Sequence, residues 1–572
     1  MSAAQPMNNA PIDANLEGSN PKLQTVKYIN ILPEGKVADY KQNNRVDFMP
    51  DPSTAAYFDG KQSYINIEVT NDSTFVQGNS PVAPTAAPPV CFPAHIGANA
   101  MINRCLIRSK ENGQVIEDLE GYNQLHGIKN AYSHDSDVFK SLGRISGVAG
   151  RSCRNMNQTV DNLAVNYFLP NCETQTAGQE TEAVGGNVGV SAQFCVPIES
   201  GLFSAFAGEH HCVPNLDVPL HLQFFLEKNN VALQTMNHKF YRTVIVNGTS
   251  VVDQHALNPF SDELTFTKAG TSMLLSANTC DTTLSYDGLP YSQEMCAFRI
   301  GQIFTDGTDQ RAITKVEINQ GAGNQIELTL DSALSAGDGD IATCKLNTIT
   351  RSYTINKIEL KLLVTIPDEP TMRMIRAQMA RGISFTSQQL YKVSTASALL
   401  NSVIDIPEAL TRCKSIIALP CRQSNLEALD LSNSYIMPQP VATVNATYQW
   451  QIQNTLIPNL SVETADATNN KNDNVIYFNQ SSMALRHWLD VKALGDHPKV
   501  EKTSDKDLLL PYFFPVSLSP KGQSFNLIDA APQLRVNNDA PAAADVPAYL
   551  FHIYICHIRV LKAGEMGAEI NF

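Results

Sequence analysis

The sequence predicts an all-β fold, two tandem eight-stranded jelly rolls (a double jelly roll) with short helices and loop insertions. Three observations carry this. Apolar and polar residues alternate at period two in many short runs, the pattern of half-buried strands. Asn-Gly and Gly-rich turns stand between such runs. One clear helix divides the chain, and the segments on its two sides share an outline.

Taken in chain order, Ile65, Ile67 and Val69 alternate with Tyr64, Asn66 and Glu68. Arg104–Ser109 and Val115–Leu119 flank Asn112-Gly113, which predicts a hairpin with a type I′ turn. Leu220, Leu222, Phe224 and Leu226 alternate with His221 and Gln223. Asn247-Gly248 predicts a second hairpin, and Gly321-Ala322-Gly323 a third, between Lys315–Asn319 and Gln325–Leu330. Ile358–Ile366 reads as a long alternating strand. Tyr448, Trp450 and Ile452 alternate with Gln449, Gln451 and Gln453. Phe551, Ile553 and Ile555 lie in a strand, Tyr549–Leu561, that is apolar on both faces, as in the middle of a sandwich.

The dividing helix is predicted over Glu369–Arg381. Pro370 suits its first turn, Gly382 its stop, and Met372, Ile375 and Met379 fall on one face. A shorter helix is predicted near Ser482–Leu489. Each side carries an aromatic-plus-proline stretch late in its length, Phe194–Pro197 and Phe513–Val516. The expected organisation is a polar, Pro- and Asn-rich N-terminal arm over 1–40, a first jelly roll over 41–367 and a second over 368–572. The first is longer by an insertion near 229–350.

Composition narrows the function classes. The chain has 572 residues, a net charge of −14, 17% charged and 43% hydrophobic residues. Disordered chains are richer in charge and poorer in apolar residues. The acidic balance and a first stretch with only Lys22, Lys27, Lys36 and Lys41 argue against direct gripping of nucleic acid, which relies on Lys and Arg at phosphates. No run reaches the ~18 apolar residues of a membrane helix. Met1–Pro6 has neither a basic nor an apolar segment, so no signal peptide is expected. The 12 cysteines include no CxxC pair and read as reduced, mostly buried thiols.

Candidate chemistry is sparse. Gly143–Ser152 has the glycines of a phosphate loop without its lysine, so a turn-rich connection is the better account. His210-His211-Cys212 with His221 fits no zinc template and reads as a solvated loop. His552 and Cys556 lie about 13 Å apart along one strand face, too far for one ion, so burial in the sandwich explains them better. Asp338-Gly339-Asp340 has too few acids for a calcium loop and reads as a hairpin tip. Glu117, Asp118 and Glu120 read as a solvated strand end, with a subunit contact as the functional alternative. Neither a GxSxG elbow nor an HExxH helix occurs. No catalytic, cofactor-binding or metal-ligating residue is assigned, and no enzyme activity is expected.

Several segments resemble the major capsid proteins of the double jelly-roll lineage of DNA viruses. They are Arg45–Pro50 with Ala56–Lys61 and Tyr64–Asn71; Gly97–Ile102 with Ile107–Ser109, Gly113–Glu117 and Tyr122-Asn123; and Asn356–Leu360 running into the dividing helix. The resemblance is strongest to polinton-like viruses and virophages, more distant to giant DNA viruses and to adenovirus hexons. It implies homotrimers of pseudo-hexagonal outline that tile an icosahedral virion shell. It also implies penton and minor capsid proteins as partners, and enclosed double-stranded DNA that the shell does not grip. The insertion at 229–350 would rise outward as a tower, and the 1–40 arm would order against neighbours. Gly185-Gly186 and Gly564–Gly567 are candidate maturation-protease sites. Whether an internal membrane lies beneath such a shell is not legible. Sparse charge agrees with large contact surfaces, whose cores are depleted in charge.

Two alternatives follow. One is an assembly scaffold of the same fold that leaves the virion. The other, of a different class, is a secreted carbohydrate-binding or carbohydrate-cleaving β-protein. The latter needs an export signal and paired acids in an aromatic-lined cleft, whereas the chain holds only Trp450 and Trp488.

Overall fold

The computed structural model describes residues 24–35, 39–75, 92, 96–133, 145–146, 191–205, 213–233, 238–257, 263–276, 279–283, 298, 302–347, 349–394, 402–406, 410–422, 446–463, 483–485, 513–518, 524–528, 530–538, 549–564 and 567–571. The described chain is mostly β, built from several antiparallel sheets.

The first half opens with β1 (Gln24–Ile31), β2 (Arg45–Phe48), β3 (Tyr57–Asn71), β4 (Thr74–Phe75), β5 (Ile102–Ser109) and β6 (Val115–Glu120). Helix α1 (Tyr122–Ser133), β7 (Ser191–Pro197), α2 (Gly201–Ala205), β8 (Val213–Pro214), β9 (Leu220–Leu226) and α3 (Asn229–Ala232) follow. After an insertion comes β19 (Tyr353–Ile366). One sheet runs β1-β19-β3-β7, with β8 added to β3, and the facing sheet runs β2-β9-β5-β6. Setting β4 and β8 aside and counting eight strands in chain order, the sheets read 1-8-3-6 and 2-7-4-5. This is the strand order of a jelly roll. Strict alternation puts Ile65, Ile67 and Val69 of β3 in the core, facing Leu222 and Phe224 of β9.

The insertion holds two units. β10 (His238–Val246) and β11 (Thr249–Leu257) form a two-stranded hairpin. β12 (Leu264–Ala269), β13 (Ser272–Leu275), β14 (Ile303–Thr305), β15 (Gln310–Gln320), β16 (Gln325–Leu330) and β17 (Gly339–Leu346) close into a six-stranded barrel. β18 (Ile349–Thr350) returns to pair with β4. The barrel has its own core around Phe266, which meets the Phe304 ring edge-on at 5.1 Å. Closure leaves the barrel without free sheet edges.

Helix α4 (Glu369–Arg381) occupies the predicted span. Asp368 caps it by accepting from the Thr371 N–H, and Gly382 ends it at φ 103°. The second half then runs β20 (Ile383–Ser394), β21 (Ser402–Asp405), β22 (Cys413–Arg422), β23 (Ala446–Ile452), β24 (Thr455–Glu463), β25 (Phe514–Ser517), β26 (Gln533–Asn538), β27 (Tyr549–Gly564) and β28 (Gly567–Asn571). Its sheets are β20-β27-β22-β25, with β28 on β27, and β21-β26-β23-β24. In chain order these again read 1-8-3-6 and 2-7-4-5. The same topology thus occurs twice.

Trp450 lies wholly buried in the second core, among Tyr448, Phe514 and Leu534. Trp450→Ala is expected to cost about 3–5 kcal/mol through the cavity it leaves. Denaturant unfolding followed by tyrosine fluorescence checks this through a lowered midpoint.

Two sequence expectations need correction. The Asn112-Gly113 turn is not two residues long. Only Gly113 has positive φ, and five residues separate β5 from β6, pinned by Ser109 N–H to the Gln114 carbonyl. The Asn247-Gly248 turn does show both residues at positive φ, as a type I′ turn requires. The segment read as a flexible arm contains β1, an edge strand whose Ile29 and Ile31 pack on the first core. Residues 1–23 lie outside the described residues. Of the helix foreseen near Ser482–Leu489, residues 483–485 are described and helical.

Candidate functional site

The place where buried polar side chains gather is the joint between the two sandwiches. β6 is the edge of its sheet and ends facing β20. Glu117 on β6 is fully buried, not solvated as its sequence neighbourhood suggests. Its Oε1 accepts from the Gly201 N–H at 2.8 Å and its Oε2 from the Leu202 N–H at 3.1 Å. These donors open α2, and an anion there satisfies N–H groups that a helix start leaves over. Ser387 of β20 also bonds Glu117, and Arg559 of β27 lies on its charged side. One carboxylate therefore ties β6 and α2 of the first sandwich to β20 and β27 of the second. Burial raises the Glu117 carboxyl above its ordinary range, and these donors and Arg559 oppose that rise.

The neighbouring acids are also committed. Asp118 takes both Arg104 nitrogens at 2.6 and 2.5 Å, and Arg104 stacks over Phe225 at 5.4 Å. Glu120 meets Lys392 of β20 at 2.6 Å. That pair is roughly half exposed and contributes ~0–1 kcal/mol.

Helix α1 leaves β6 through Gly121, whose φ is +67°. A Cβ there would overlap the Tyr554 hydroxyl and sit 3.0 Å from Leu390 Cδ2. The α1 residue Gln124 accepts through Oε1 from the Tyr554 hydroxyl at 2.6 Å and lies 2.6 Å from His552 Nδ1. Ile128 packs into a cluster with Ile417, Leu419, Tyr554, Cys556 and Phe513. His552 and Cys556 are thus buried, but on the outer face of the second sandwich beneath α1 rather than between its sheets. From the other side, Met379 of α4, Phe385 of β20 and Leu561 of β27 join the first core. The Glu117, Glu120 and Gln124 bonds all cross from the first sandwich's side to the second or to α2 against it, so the joint holds the two bodies together.

Burial lowers the His552 pKa from 6.5 to about 3 and the His557 pKa from 6.5 to about 4, with Lys392 and Arg559 respectively adding to the effect. Both rings are neutral in the folded chain. A depressed folded pKa contributes stability that is present above pH 6.5 and lost as pH falls toward those values. At pH 5 the loss is ~2 kcal/mol for His557 alone. Glu117 acts in the opposite sense, because its raised pKa favours the protonated, acidic-side fold. His557→Gln is expected to lose less thermal stability than the native chain between pH 7 and pH 5. Calorimetric melts at the two pH values check this.

The other sequence candidates fall elsewhere. His221 Nε2 lies 2.9 Å from Asp47 Oδ1, which also accepts from Gln223 at 2.6 Å. His210, His211 and Cys212 lie outside the described residues, as do Gly185 and Gly186. Asp338 accepts from Lys268 Nζ at 2.6 Å and from the Gly270 N–H, and Asp340 accepts from Thr267. These carboxylates bond to Thr267 and Lys268 of β12 and to the Gly270 turn that follows it. Of Gly143–Ser152, only residues 145–146 are described. Gly564 and Gly567 pair across the β27–β28 turn. Cys105, Cys195, Cys280, Cys344, Cys413 and Cys556 are thiols, all buried except the half-buried Cys195. Among the described residues no group of three His, Cys, Asp or Glu could hold a metal, and no helix is long and apolar enough to cross a membrane.

Sequence reasoning missed Gln124, Gly201, Ser387 and Arg559 as joint residues. None sits in a motif, and only their meeting in space gives them a role. Gly121-Tyr122 directly after an acidic strand was the one local sign of a tight crossing.

No known family model matches the chain, and no curated protein matches it. Among solved structures it is similar to PBCV-1 VP54 fitted into a reconstruction of the virophage Sputnik. That match has 10% identity over 96% of this chain and 97% of that chain, with a TM-score of 0.44. It is similar to the Faustovirus major capsid protein, with 9% identity over 98% and 92% and a TM-score of 0.46. It is also similar to a chain of the Sputnik virophage cryo-EM structure, with 10% identity over 100% and 93% and a TM-score of 0.35.

Proposed function

We propose that the chain is the major capsid protein of a double-stranded DNA virus. The observation that carries this is the repeated 1-8-3-6 and 2-7-4-5 topology, locked into a pair by the buried Glu117 joint. A rigid pair of similar sandwiches is half-way to a regular ring. Three pairs around a threefold axis present six similar bodies and so a nearly hexagonal outline, the shape that tiles a shell. The segments that resemble double jelly-roll capsid proteins support the same reading.

In this reading the organisation is an arm that ends before β1, a first jelly roll from β1 to residue 367 and a second over 368–572. The closed barrel and the β10–β11 hairpin form the outward tower of the first jelly roll. The chain's partners are its own copies, then penton and minor capsid proteins at vertices and seams, and its place is the virion. The net charge of −14 suits a shell that encloses DNA and leaves phosphate neutralisation to other components. No catalytic step is involved, and assembly is the mechanism.

Negative-stain microscopy of concentrated protein tests this. Hexagonally tiled plates or closed shells are the expected result. Mass spectrometry of mature particles should find the chain as a major component, and its absence would overturn the capsid assignment in favour of a scaffold.

A further inference from the structure

Asn-Gly occurs twice in the chain, at Asn112-Gly113 and Asn247-Gly248, and the fold holds the two turns differently. The first is pinned. Asn112 Oδ1 accepts from the Gln114 N–H at 3.1 Å. The Gly113 N–H donates to the Ser109 carbonyl at 3.0 Å, and the Lys110 N–H to the Pro219 carbonyl at 2.7 Å. The strands it joins, β5 and β6, belong to a four-stranded sheet.

The second turn is free. Asn247, Gly248, Thr249 and Ser250 are exposed at the tip of β10–β11. Among the described residues, neither the Asn247 side chain nor the Gly248 N–H makes a hydrogen bond. The sheet consists of these two strands alone. A two-stranded hairpin by itself is marginally stable in water, so its tip opens far more readily than a turn held by a larger sheet.

Opening matters because the closed turn fixes both residues in the left-handed region, with φ 52° at Asn247 and 78° at Gly248. Once Asn247 rotates out of it, the Gly248 backbone nitrogen reaches the Asn247 side-chain carbonyl carbon. Glycine has no Cβ to hinder that approach. The new N–C bond closes a succinimide ring. The side-chain amide nitrogen leaves as ammonia, taking the proton that the backbone nitrogen gives up. Solvent water then opens the ring at either carbonyl, giving aspartate or isoaspartate without any oxidant or reductant.

We infer that Asn247 is a site of spontaneous deamidation in the folded chain, whereas Asn112 is protected by its turn. Either product places a carboxylate beside Ile245, which is 76% exposed. Isoaspartate also adds a methylene to the backbone, so the Val246–Thr249 pair no longer fits a two-residue turn. The chain thus carries a slow, irreversible change of charge and shape at one exposed hairpin, whatever its assembly state.

Peptide mass spectrometry of the full chain kept in mildly alkaline buffer tests this. The Asn247 peptide is expected to convert well ahead of the Asn112 peptide, with isoaspartate detected by enzymatic methylation. In denaturant the two should convert at similar rates, since only the fold separates them. A cross-linked variant tests the cause. Ile245→Cys with Ser250→Cys puts two thiols at directly opposed positions of the hairpin. Its oxidised form should convert several-fold more slowly than its reduced form. Equal or faster conversion at Asn112 in the folded chain would overturn the assignment. So would an intact Asn247 under conditions where the denatured chain converts. A rate unchanged by the cross-link would overturn tip opening as the cause.

Discussion

Gly201→Ala is expected to damage the chain more than any other single added methyl considered. The new Cβ would overlap the Thr386 carbonyl oxygen and stand 2.8 Å from its carbonyl carbon, with Glu117 Oε1 at 2.9 Å. The clashing atoms are the backbone of Thr386 on β20, so no side chain can rotate away. Relief requires α2 and β20 to separate, which also stretches both Glu117 hydrogen bonds. The cost is more than about 3 kcal/mol, the upper end for overpacking. Gly113→Ala is the comparison. Its site is open, and only the positive φ opposes the change, at about 1 kcal/mol. Calorimetry should show a much larger fall in melting temperature for Gly201→Ala. Equal falls would mean that the joint is loosely packed.

Glu117→Leu has the second large expected effect. It removes the acceptor for two N–H groups at the start of α2 and for Ser387, and the negative charge facing Arg559. Removing one partner from a buried charged pair costs about 3–5 kcal/mol. Glu117→Gln keeps the shape and one acceptor oxygen, so it should cost only ~1–2 kcal/mol. The two variants also separate by pH. A carboxyl held above its ordinary pKa of 4.5 contributes stability that is fully present below that value and is lost as pH rises through the folded pKa. The Gln variant lacks this term, so its deficit relative to the native chain should shrink as pH rises. Melts from pH 4 to pH 8 measure this directly, and a deficit independent of pH would show that Glu117 carries no such linkage.

Much of the fold was legible because strands and α4 follow local rules. Alternation at Ile65–Val69 and Leu220–Leu226 marks one buried face, and Asp368, Pro370 and Gly382 punctuate the helix. β1 was missed because Tyr28 and Ile29 stand side by side and break the alternation that Val26, Tyr28 and Ile29, Ile31 would otherwise show in Gln24–Ile31. The Gln453-Asn454 turn joining β23 to β24 adopts positive φ at both residues without a glycine, so no turn signal announced it. Closure of the barrel was equally hidden, since pairing of β12 with β17 spans residues far apart in sequence. The joint was read worst. Glu117, Asp118 and Glu120 look like a solvated acidic run, yet their three partners lie in α2, β5 and β20. A sequence states charge locally, whereas the desolvation of Glu117 depends on a strand about 270 residues away.

The proposed capsomer is a ring of three double sandwiches. Native mass spectrometry of the purified full chain tests it most directly. The account predicts a dominant species at three times the 62.6 kDa chain mass. A stable species at 62.6 kDa across micromolar concentrations would contradict it.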